Sequence, residues 1–280
     1  MISIIGLGNA ASAVAEKFKT APQYEVSLMN DKIKRTSKRK YRLKSFENPE
    51  DYEDNIPDAT KFFADIHDHV QFIVMGSSFS SNYSLGLLEQ IKNKKIDVIY
   101  IKPDIELLTG IPKLMENAVF GVLQEYARSG LLNSMTIIAN AELEKTLGDV
   151  PIKTYFETLN TSIFSTIHYL NYFNHSEPEI GQVAKPSPLN RIKTVGFLNI
   201  QNLEEKWLFP LDMQRDLCYY MCINEKKLAE DGTLHKRIVT SLKEKPRNAF
   251  RKISYAIYET AQEHDFGFCV AHTNAIQNNS

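Results

Sequence analysis

Five short apolar runs alternate with helical patterns along residues 1–150, and this alternation constrains the fold more than any other feature of the sequence. The runs begin at Ile2, Tyr24, Val70, Ile96 and Met135, and each is apolar over most of its length. Strands that are apolar on both faces are typical of a parallel sheet covered by helices on each side. The sequence therefore predicts an α/β domain of nucleotide-binding type, with a parallel sheet, over residues 1–150.

The pattern changes after Asp149. A long helix is expected from Lys153 to about Phe173, because apolar residues recur there at helical spacing; they are Phe156, Ile163, Ile167 and Leu170. A loop rich in Pro and polar residues follows. The last part of the chain reads as strand 216–224, helix 235–245, strand 248–259 and strand 266–273. These features predict a central helix with its connecting loop over residues 151–190 and a smaller α+β domain over residues 191–280.

Composition excludes several classes of protein. With 43% hydrophobic residues and a formal net charge of −1, the chain is not typical of a disordered protein. The balanced charge provides no general attraction to nucleic acid, which is therefore not indicated as a partner. No apolar run approaches the ~20 residues of a membrane span. Three cysteines do not suggest a disulfide framework, and Cys218 and Cys222 are expected to be buried thiols. We therefore expect a cytoplasmic protein without a membrane span.

Two charged features leave their interpretation open. The segment Lys32–Lys44 is strongly basic and is followed directly by an acidic run over residues 47–58. The basic run is either a solvated excursion or a functional basic patch. His67 and His69 flank Asp68, but no third ligand is evident, so no metal site is predicted.

The first strand ends in a glycine turn. Gly6 and Gly8 belong to the pattern GxGxxA, which opens a helix. Glycines at such a turn allow a phosphate to approach backbone N–H groups at the helix N-terminus. Asp31 follows Gly8 by 23 residues, where dinucleotide-binding folds carry a carboxylate for a ribose. These residues are compatible with an NAD(P)-dependent oxidoreductase of Rossmann type, and also with a plain structural turn.

The loops taken in order resemble those of the tubulin/FtsZ family. The matches are Gly6 and Gly8 at the first turn, Asn30 and Asp31 after the second strand, Asn48-Pro49-Glu50, Met75 and Gly76 after the third strand, Lys102 and Pro103 after the fourth, Ala118, Gly121 and Leu123 in the next helix, and Asn140 and Leu143 after the fifth strand. In the long helix, Phe156 and Asn160 match an aromatic residue and an amide that contact guanine in that family. Residues four apart share a helix face, so a ring and an amide there can meet one base. Without the resemblance, they read as a core Phe and a surface Asn.

The resemblance implies a fold, a ligand and a set of contacts. It implies GTP or GDP as the cofactor, accompanied by Mg²⁺, and head-to-tail self-association into filaments. The implied nucleotide-contacting residues are Gly6, Gly8, Asn9, Asn30, Asp31, Gly76, Ser77, Ser78, Ser80, Lys102, Pro103, Phe156 and Asn160. The phosphate loop departs from the family pattern, since SSFSSNYS replaces a run of Gly and Thr. Each added Cβ disfavours positive φ where backbone N–H groups meet phosphate in that family.

A second loop carries the residues implied to be catalytic. In the family, the loop after the central helix enters the neighbouring subunit and positions water at the γ-phosphate. GFLNIQNLEE matches that loop with Asn199, with Gln201 at the first acidic position and with Glu204 at the second. Because Gln cannot accept a proton as a carboxylate does, the resemblance implies a weak GTPase or none. The alternatives remain an NAD(P)-dependent oxidoreductase and a family member that has lost its nucleotide and acts as a structural module.

Overall fold

The computed structural model describes residues 1–245 and 251–278, which form a twelve-stranded sheet with helices on both faces. The strands are β1 (Ile2–Leu7), β2 (Tyr24–Asn30), β3 (Lys40–Arg42), β4 (His69–Met75), β5 (Lys95–Lys102), β6 (Ser134–Ala139), β7 (Ile180–Gln182), β8 (Ile192–Leu198), β9 (Glu205–Trp207), β10 (Asp216–Asn224), β11 (Lys252–Thr260) and β12 (Phe266–Thr273). The helices are α1 (Asn9–Lys17), α2 (Glu50–Asp54), α3 (Ser84–Glu89), α4 (Ile111–Ser129), α5 (Asn140–Leu147), α6 (Tyr155–Phe173), α7 (Glu225–Glu230) and α8 (Leu234–Glu244).

The five predicted strands β1, β2, β4, β5 and β6 are all present and pair in parallel. β3 extends this part of the sheet beside β2. The central strands are buried on both faces, as their continuous apolar sequences predict. The expectation of a parallel α/β sheet is confirmed.

The direction of the strands defines two edges of the sheet. Since β8 also pairs in parallel with β6, the carboxyl ends of β1, β2, β4, β5, β6 and β8 share one edge, which we call the upper edge. Their amino ends share the opposite, lower edge. β12 runs antiparallel to β8 and β10, and β11 is parallel to β10. β10 and β11 therefore also start at the lower edge.

β8 joins the two parts of the sheet, and the sequence pattern does not predict it. It lies between β6 and β12, so that the hydrogen-bonded ladder is continuous. Polar residues within β8 interrupt the apolar pattern that predicts a buried strand. One of them, Thr194, is fully buried, and its hydroxyl donates to the Ile137 carbonyl at 3.0 Å. The strand predicted at 248–259 begins at Lys252, and residues 248–250 lie outside the described residues. The domain boundaries near residues 150 and 190 remain a prediction.

α6 is the long helix that the sequence predicts, with 19 residues. Ile163 and Ile167 are buried as expected, whereas Phe156 does not join the buried stripe and is 73% exposed. α6 packs beside α1, and its carboxyl end reaches the second part of the sheet. There the ring of Phe173 stacks on that of Tyr220 at a centroid distance of 5.0 Å.

A pair of glutamines ties distant parts of the chain together. Gln124, buried in α4, accepts a hydrogen bond from the Gln277 amide at 2.7 Å and donates to the Gln277 carbonyl at 3.2 Å. The Gln277 side chain accepts from the Asp212 amide at 2.9 Å. The buried amide of α4 is thus satisfied by a segment 153 positions later in the sequence.

The three cysteines are free and buried, as expected for Cys218 and Cys222. Burial raises the pKa of Cys218 to about 11 and that of Cys222 to about 12, so both are thiols at neutral pH. Within residues 1–245 and 251–278, no helix has the length and apolar character needed to cross a membrane.

Candidate functional site

Two loops of the upper edge touch at Gly8. Gly8 precedes α1 with a φ of +87°, and no side chain caps the helix. A Cβ at Gly8 would lie 3.1 Å from Ser78 Oγ and 3.2 Å from Ser80 Cβ. The bare backbone of Gly8 therefore allows the glycine turn and the serine loop to meet. The N–H groups of the first turn of α1 face this junction without a side-chain partner, as an anion requires.

The serine loop keeps a left-handed turn without a glycine there. Ser77 has a φ of +61°, which costs a non-glycine residue about 1–2 kcal/mol. The neighbouring Gly76 must be glycine, because a Cβ would lie 2.5 Å from the Tyr100 hydroxyl and 2.8 Å from Pro103 Cδ. Beyond it, the Ser81 hydroxyl donates to the Ser78 carbonyl at 2.6 Å. These contacts fix the conformation of the loop, and its serine residues carry side chains where glycines would leave the backbone bare.

Lys102 lies beneath these loops and points into the protein. Its side chain is 4% exposed, and Nζ lies 3.4 Å from Glu116 Oε1 and 5.0 Å from the centre of the Phe120 ring. Burial lowers the pKa of Lys102, while Glu116 opposes that shift. The Tyr100 hydroxyl donates to the same carboxylate at 3.2 Å. Lys102 therefore supports the loops through Glu116 and is not exposed at the upper edge.

The residues after β2 contact the start of α1. Asn9 Nδ2 donates to Asp31 Oδ1 at 2.7 Å, and Asn30 Nδ2 donates to Ser12 Oγ at 2.9 Å. Asn30 is 7% exposed, and its side-chain oxygen has no hydrogen-bond partner among the described residues. These contacts fix the loop after β2 to the first turn of α1.

Phe156 presents an aromatic face at the start of α6. Tyr155 holds this part of the helix, because its hydroxyl donates to Glu144 Oε2 of α5 at 2.9 Å. The Phe156 ring contacts Tyr155 edge-on at 5.2 Å and is otherwise exposed, and Asn160 lies one turn further along the same face. At the first position of α5, the buried oxygen of the Asn140 side chain has no partner among the described residues.

The structure corrects the location of Asn199, Gln201 and Glu204. The resemblance implies that they lie in the loop after the central helix, but they follow β8, in the turn to β9. Because β8 is parallel to β6, this turn lies at the upper edge, the same edge as Gly8. A loop at the upper edge cannot reach a neighbouring copy that contacts the lower edge. The turn is held by its own contacts, since Asn199 Oδ1 accepts from the Gln201 amide at 2.8 Å.

The segment that follows α6 directly is residues 174–191, which lead to the amino end of β8 at the lower edge. It carries two exposed carboxylates, Glu177 and Glu179. The sequence motif did not identify them because no Asn or Gly stands at the expected spacing. Only their position immediately after the long helix could have indicated these two carboxylates from the sequence.

The histidines near β4 bind separate carboxylates. His69 Nε2 lies 2.6 Å from Asp97 Oδ2, whereas His67 Nε2 lies 3.1 Å from Glu25 Oε2. No cluster of three metal-ligating side chains occurs in the part of the chain that the structure describes.

No protein-family model matches the chain, and no curated protein is similar to it in sequence. Solved structures are similar in fold. The GTPγS-form protofilament of TubZ from Bacillus thuringiensis serovar israelensis matches with a TM-score of 0.71 and 11% identity, covering 97% of this chain and 86% of TubZ. The empty FtsZ dimer of M. jannaschii matches with a TM-score of 0.65 and 12% identity, covering 97% of this chain and 88% of FtsZ.

The chain has the tubulin/FtsZ fold. CetZ1 from Haloferax volcanii, solved as a GDP-bound monomer, also matches, with a TM-score of 0.67 and 11% identity over 98% of this chain and 94% of CetZ1. The tubulin/FtsZ fold thus extends over nearly the whole chain. The family resemblance drawn from the order of the loops is confirmed at the level of fold.

Proposed function

We propose that this chain is the subunit of a head-to-tail cytoskeletal filament that binds a guanine nucleotide at its upper edge and hydrolyses it slowly or not at all. The observation that carries the proposal is the location of exposed apolar side chains at both edges of the sheet. Leu107, Leu114 and Ile152 follow β5 or precede α6, and they are 80%, 69% and 93% exposed. Leu189 and Met213, which precede β8 and β10, are 69% and 42% exposed.

Apolar residues at opposite ends favour association of a particular kind. Contiguous exposed apolar surface marks interaction sites. When the upper edge of one copy contacts the lower edge of the next, the interface is heterologous and the assembly continues as a filament. The TubZ structures in GTPγS and GDP forms are protofilaments, which supports this mode of association for a chain of the same fold.

The nucleotide would lie across the ends of β1, β4, β5 and β6. In this proposal, backbone N–H groups at Gly8–Asn9 and Gly76–Ser78 receive the phosphates, with Mg²⁺ as their counter-ion. Phe156 stacks on the guanine and Asn160 hydrogen-bonds its edge. The exposed Phe156 ring and the uncapped α1 support this arrangement.

Slow hydrolysis follows from the side chains of the serine loop. Ser78 and Ser80 carry side chains where they meet Gly8, so the phosphates have less direct access to backbone donors. In the segment that follows α6, Glu177 and Glu179 are the exposed carboxylates that we assign to the contact with a neighbour's nucleotide. Asn199, Gln201 and Glu204 remain the candidates drawn from the sequence motif, now on the same edge as the nucleotide.

Sedimentation and light scattering with GTP, GDP or no nucleotide test the proposed association. Leu114→Lys at the upper edge and Met213→Lys at the lower edge should each abolish oligomers, because a charge would be buried in the contact. Val122→Lys is the matched control, since it places the same charge on α4 about 12 Å from Leu114, on a side chain that is 37% exposed. Wild-type protein that stays monomeric in every condition would contradict the proposal, as would a closed two-fold dimer.

Calorimetry with GTP tests whether the chain binds a guanine nucleotide through Phe156. Phe156→Ala should weaken binding about tenfold, because one stacked base contributes about 1–3 kcal/mol. Tyr172→Ala, another exposed aromatic residue of α6, should leave the affinity unchanged. Binding of NAD(P)H in place of GTP would instead select an oxidoreductase.

The rate of phosphate release from GTP, measured under conditions in which the protein assembles, identifies the loop that takes part in hydrolysis. Glu177→Gln or Glu179→Gln should lower an already small rate about 10²–10³-fold if the segment after α6 provides the catalytic carboxylate. Gln201→Asp and Glu204→Gln should then leave the rate unchanged. The opposite result would restore the assignment drawn from the sequence motif.

One observation favours a second candidate, a filament subunit without nucleotide. The Ser78 and Ser80 side chains lie against Gly8, within the junction where the phosphates would bind. Oligomers of equal size and stability with and without GTP, together with no heat of GTP binding, would select this candidate.

A further inference from the structure

The basic segment between β2 and β3 is an ordered loop with its own hydrogen bonds. The Ser37 amide donates to the Lys40 carbonyl at 2.7 Å, and the Arg42 amide donates to Thr36 Oγ1 at 3.1 Å. The Leu28 amide of β2 donates to the Arg39 carbonyl at 3.0 Å. The cationic side chains therefore start from fixed backbone positions.

Six of the eight cations of residues 32–44 fall into two sets, and Arg42 and Lys44 belong to neither. Lys38 pairs with Asp65 at 3.1 Å, and Arg39 pairs with Glu25. The second set forms no ion pair with any residue that the structure describes and instead lines a cavity of about 540 Å³; it consists of Lys32, Lys34, Arg35 and Lys40. The first set pairs with the protein's own carboxylates, so of these six cations only the second set is available to a ligand in the cavity.

The cavity has a large excess of positive charge. Against four cations, the one carboxylate that lines it is Glu16, which Lys19 already binds at 3.0 Å. Four like charges around one concavity repel one another unless an anion lies among them. Lys and Arg side chains bind phosphate oxygens through charge-assisted hydrogen bonds.

The opposite wall is the first turns of α1. Asn9, Ser12 and Glu16 lie at helical spacing on the side of α1 that faces the basic loop. Lys17, further round the helix, pairs instead with Glu157 of α6. The cavity is therefore on a different flank of α1 from Phe156. Asn30, nine-tenths buried and with its side-chain oxygen unpartnered, also borders the cavity and provides an acceptor for a donor group beside it.

We propose that this cavity is a second anion site, which binds a small molecule carrying a di- or triphosphate chain. The site adjoins the guanine nucleotide position of the proposed function at Asn9 and Asn30, but its four cations belong to the basic loop, and the proposal does not depend on a bound guanine nucleotide. A small phosphorylated ligand is favoured over a nucleic acid because the four cations converge on one concavity between α1 and the loop. A nucleic-acid backbone is contacted by cations spread along an extended surface.

Calorimetry of the full chain with inorganic pyrophosphate and tripolyphosphate tests the proposal. We expect one saturable site, and at least tenfold weaker binding in the double variant Lys34→Gln/Arg35→Gln. The charge-matched control is Lys38→Gln/Lys44→Gln, which removes two cations of the same segment that do not line the cavity. The control should change the affinity by less than twofold.

Two further measurements separate this site from the filament proposal. Lys34→Gln/Arg35→Gln should weaken pyrophosphate binding while it leaves the GTP affinity unchanged, and failure of GTP-dependent association would not affect the result. An equal loss of GTP affinity would show that the two ligands share one site and would overturn the proposal. Equal losses in both double variants would show diffuse charge attraction and overturn the proposal. Absence of pyrophosphate binding would also overturn it, as would a short DNA duplex that binds through Lys34 and Arg35 when pyrophosphate does not.

Discussion

Gly8 and Gly121 show how differently one added methyl group acts at two glycines of the same chain. Gly8 has a positive φ and closely approaches two serines, whereas a Cβ at Gly121, within α4, would have nothing within 4 Å. Gly8→Ala should lower the free energy of unfolding by about 1–2 kcal/mol, and it should reduce GTP binding by separating the two loops. Gly121→Ala should be neutral or stabilise by up to about 1 kcal/mol. Urea unfolding of both variants measures the difference, and equal effects would contradict the assignment of the Gly8 junction.

His272 makes stability depend on pH. Burial, together with the charge of Lys193, lowers the pKa of His272 to about 3, although Asp216 opposes the shift. The folded state therefore keeps this ring neutral, while the unfolded chain takes up a proton below its ordinary pKa of 6.5. Stability is fully present above pH 6.5 and falls as the pH decreases toward 3.

The free energy of unfolding should decrease by about 2 kcal/mol between pH 7 and pH 5 through this group. His272→Gln should remove most of that decrease, because Gln does not titrate. His264→Gln, at an exposed position, should keep the wild-type pH dependence. A wild-type stability that is constant between pH 7 and pH 5 would show that His272 does not govern it.

Single residues were the part of the site least predictable from the sequence. Gly8, Asn9, Asn30 and Asp31 were predictable to come together, because adjacent parallel strands end at one edge. The inward direction of the Lys102 side chain was not predictable, because its partner Glu116 lies on a separate helix. The position of Asn199 was not predictable either, because it depends on the pairing of β8 with β6 and not on any local sequence pattern.

At the scale of elements, α6 is anchored at one end and exposed at the other. Phe173 is 3% exposed and contacts the rings of Tyr220 and Tyr258 at 5.0 and 4.8 Å. Phe173→Ala should lower the free energy of unfolding by about 3–5 kcal/mol, through lost burial and the resulting cavity. Phe156→Ala, on the same helix, should change it by less than about 0.5 kcal/mol. Thermal or urea unfolding of the two variants provides the comparison, and similar losses would mean that α6 is not anchored at its carboxyl end.

The elements that the sequence predicted share a strong local signal. β4, β5, β10 and β12 are short apolar runs, and α4 and α6 have sustained helical periodicity. The three-residue strands β3, β7 and β9 have no such signal, because they are defined by the longer strands beside them. Secondary structure that depends on tertiary pairing is therefore the part that local periodicity misses.

At the scale of the whole molecule, the proposed head-to-tail association joins two different edges and is therefore directional. A Leu114→Lys subunit retains an intact lower edge, and a Met213→Lys subunit retains an intact upper edge. Each variant alone should remain monomeric, but an equimolar mixture should form a one-to-one dimer and nothing larger. Analytical ultracentrifugation measures this directly. Filaments in the mixture, or no dimer at all, would contradict head-to-tail contact through these two edges.

The pairing of Gln124 with Gln277 also has a consequence for the order of events at the ribosome. Synthesis proceeds from the amino end, and early segments fold as they emerge. The strands that lead into the glycine and serine loops are complete long before Gln277 is added, while the Gln124 amide of α4 is then still open to water. The early part of the chain therefore lacks the segment that covers Gln124 until the end of translation. A nascent subunit thus has its upper-edge loops before it has a finished core.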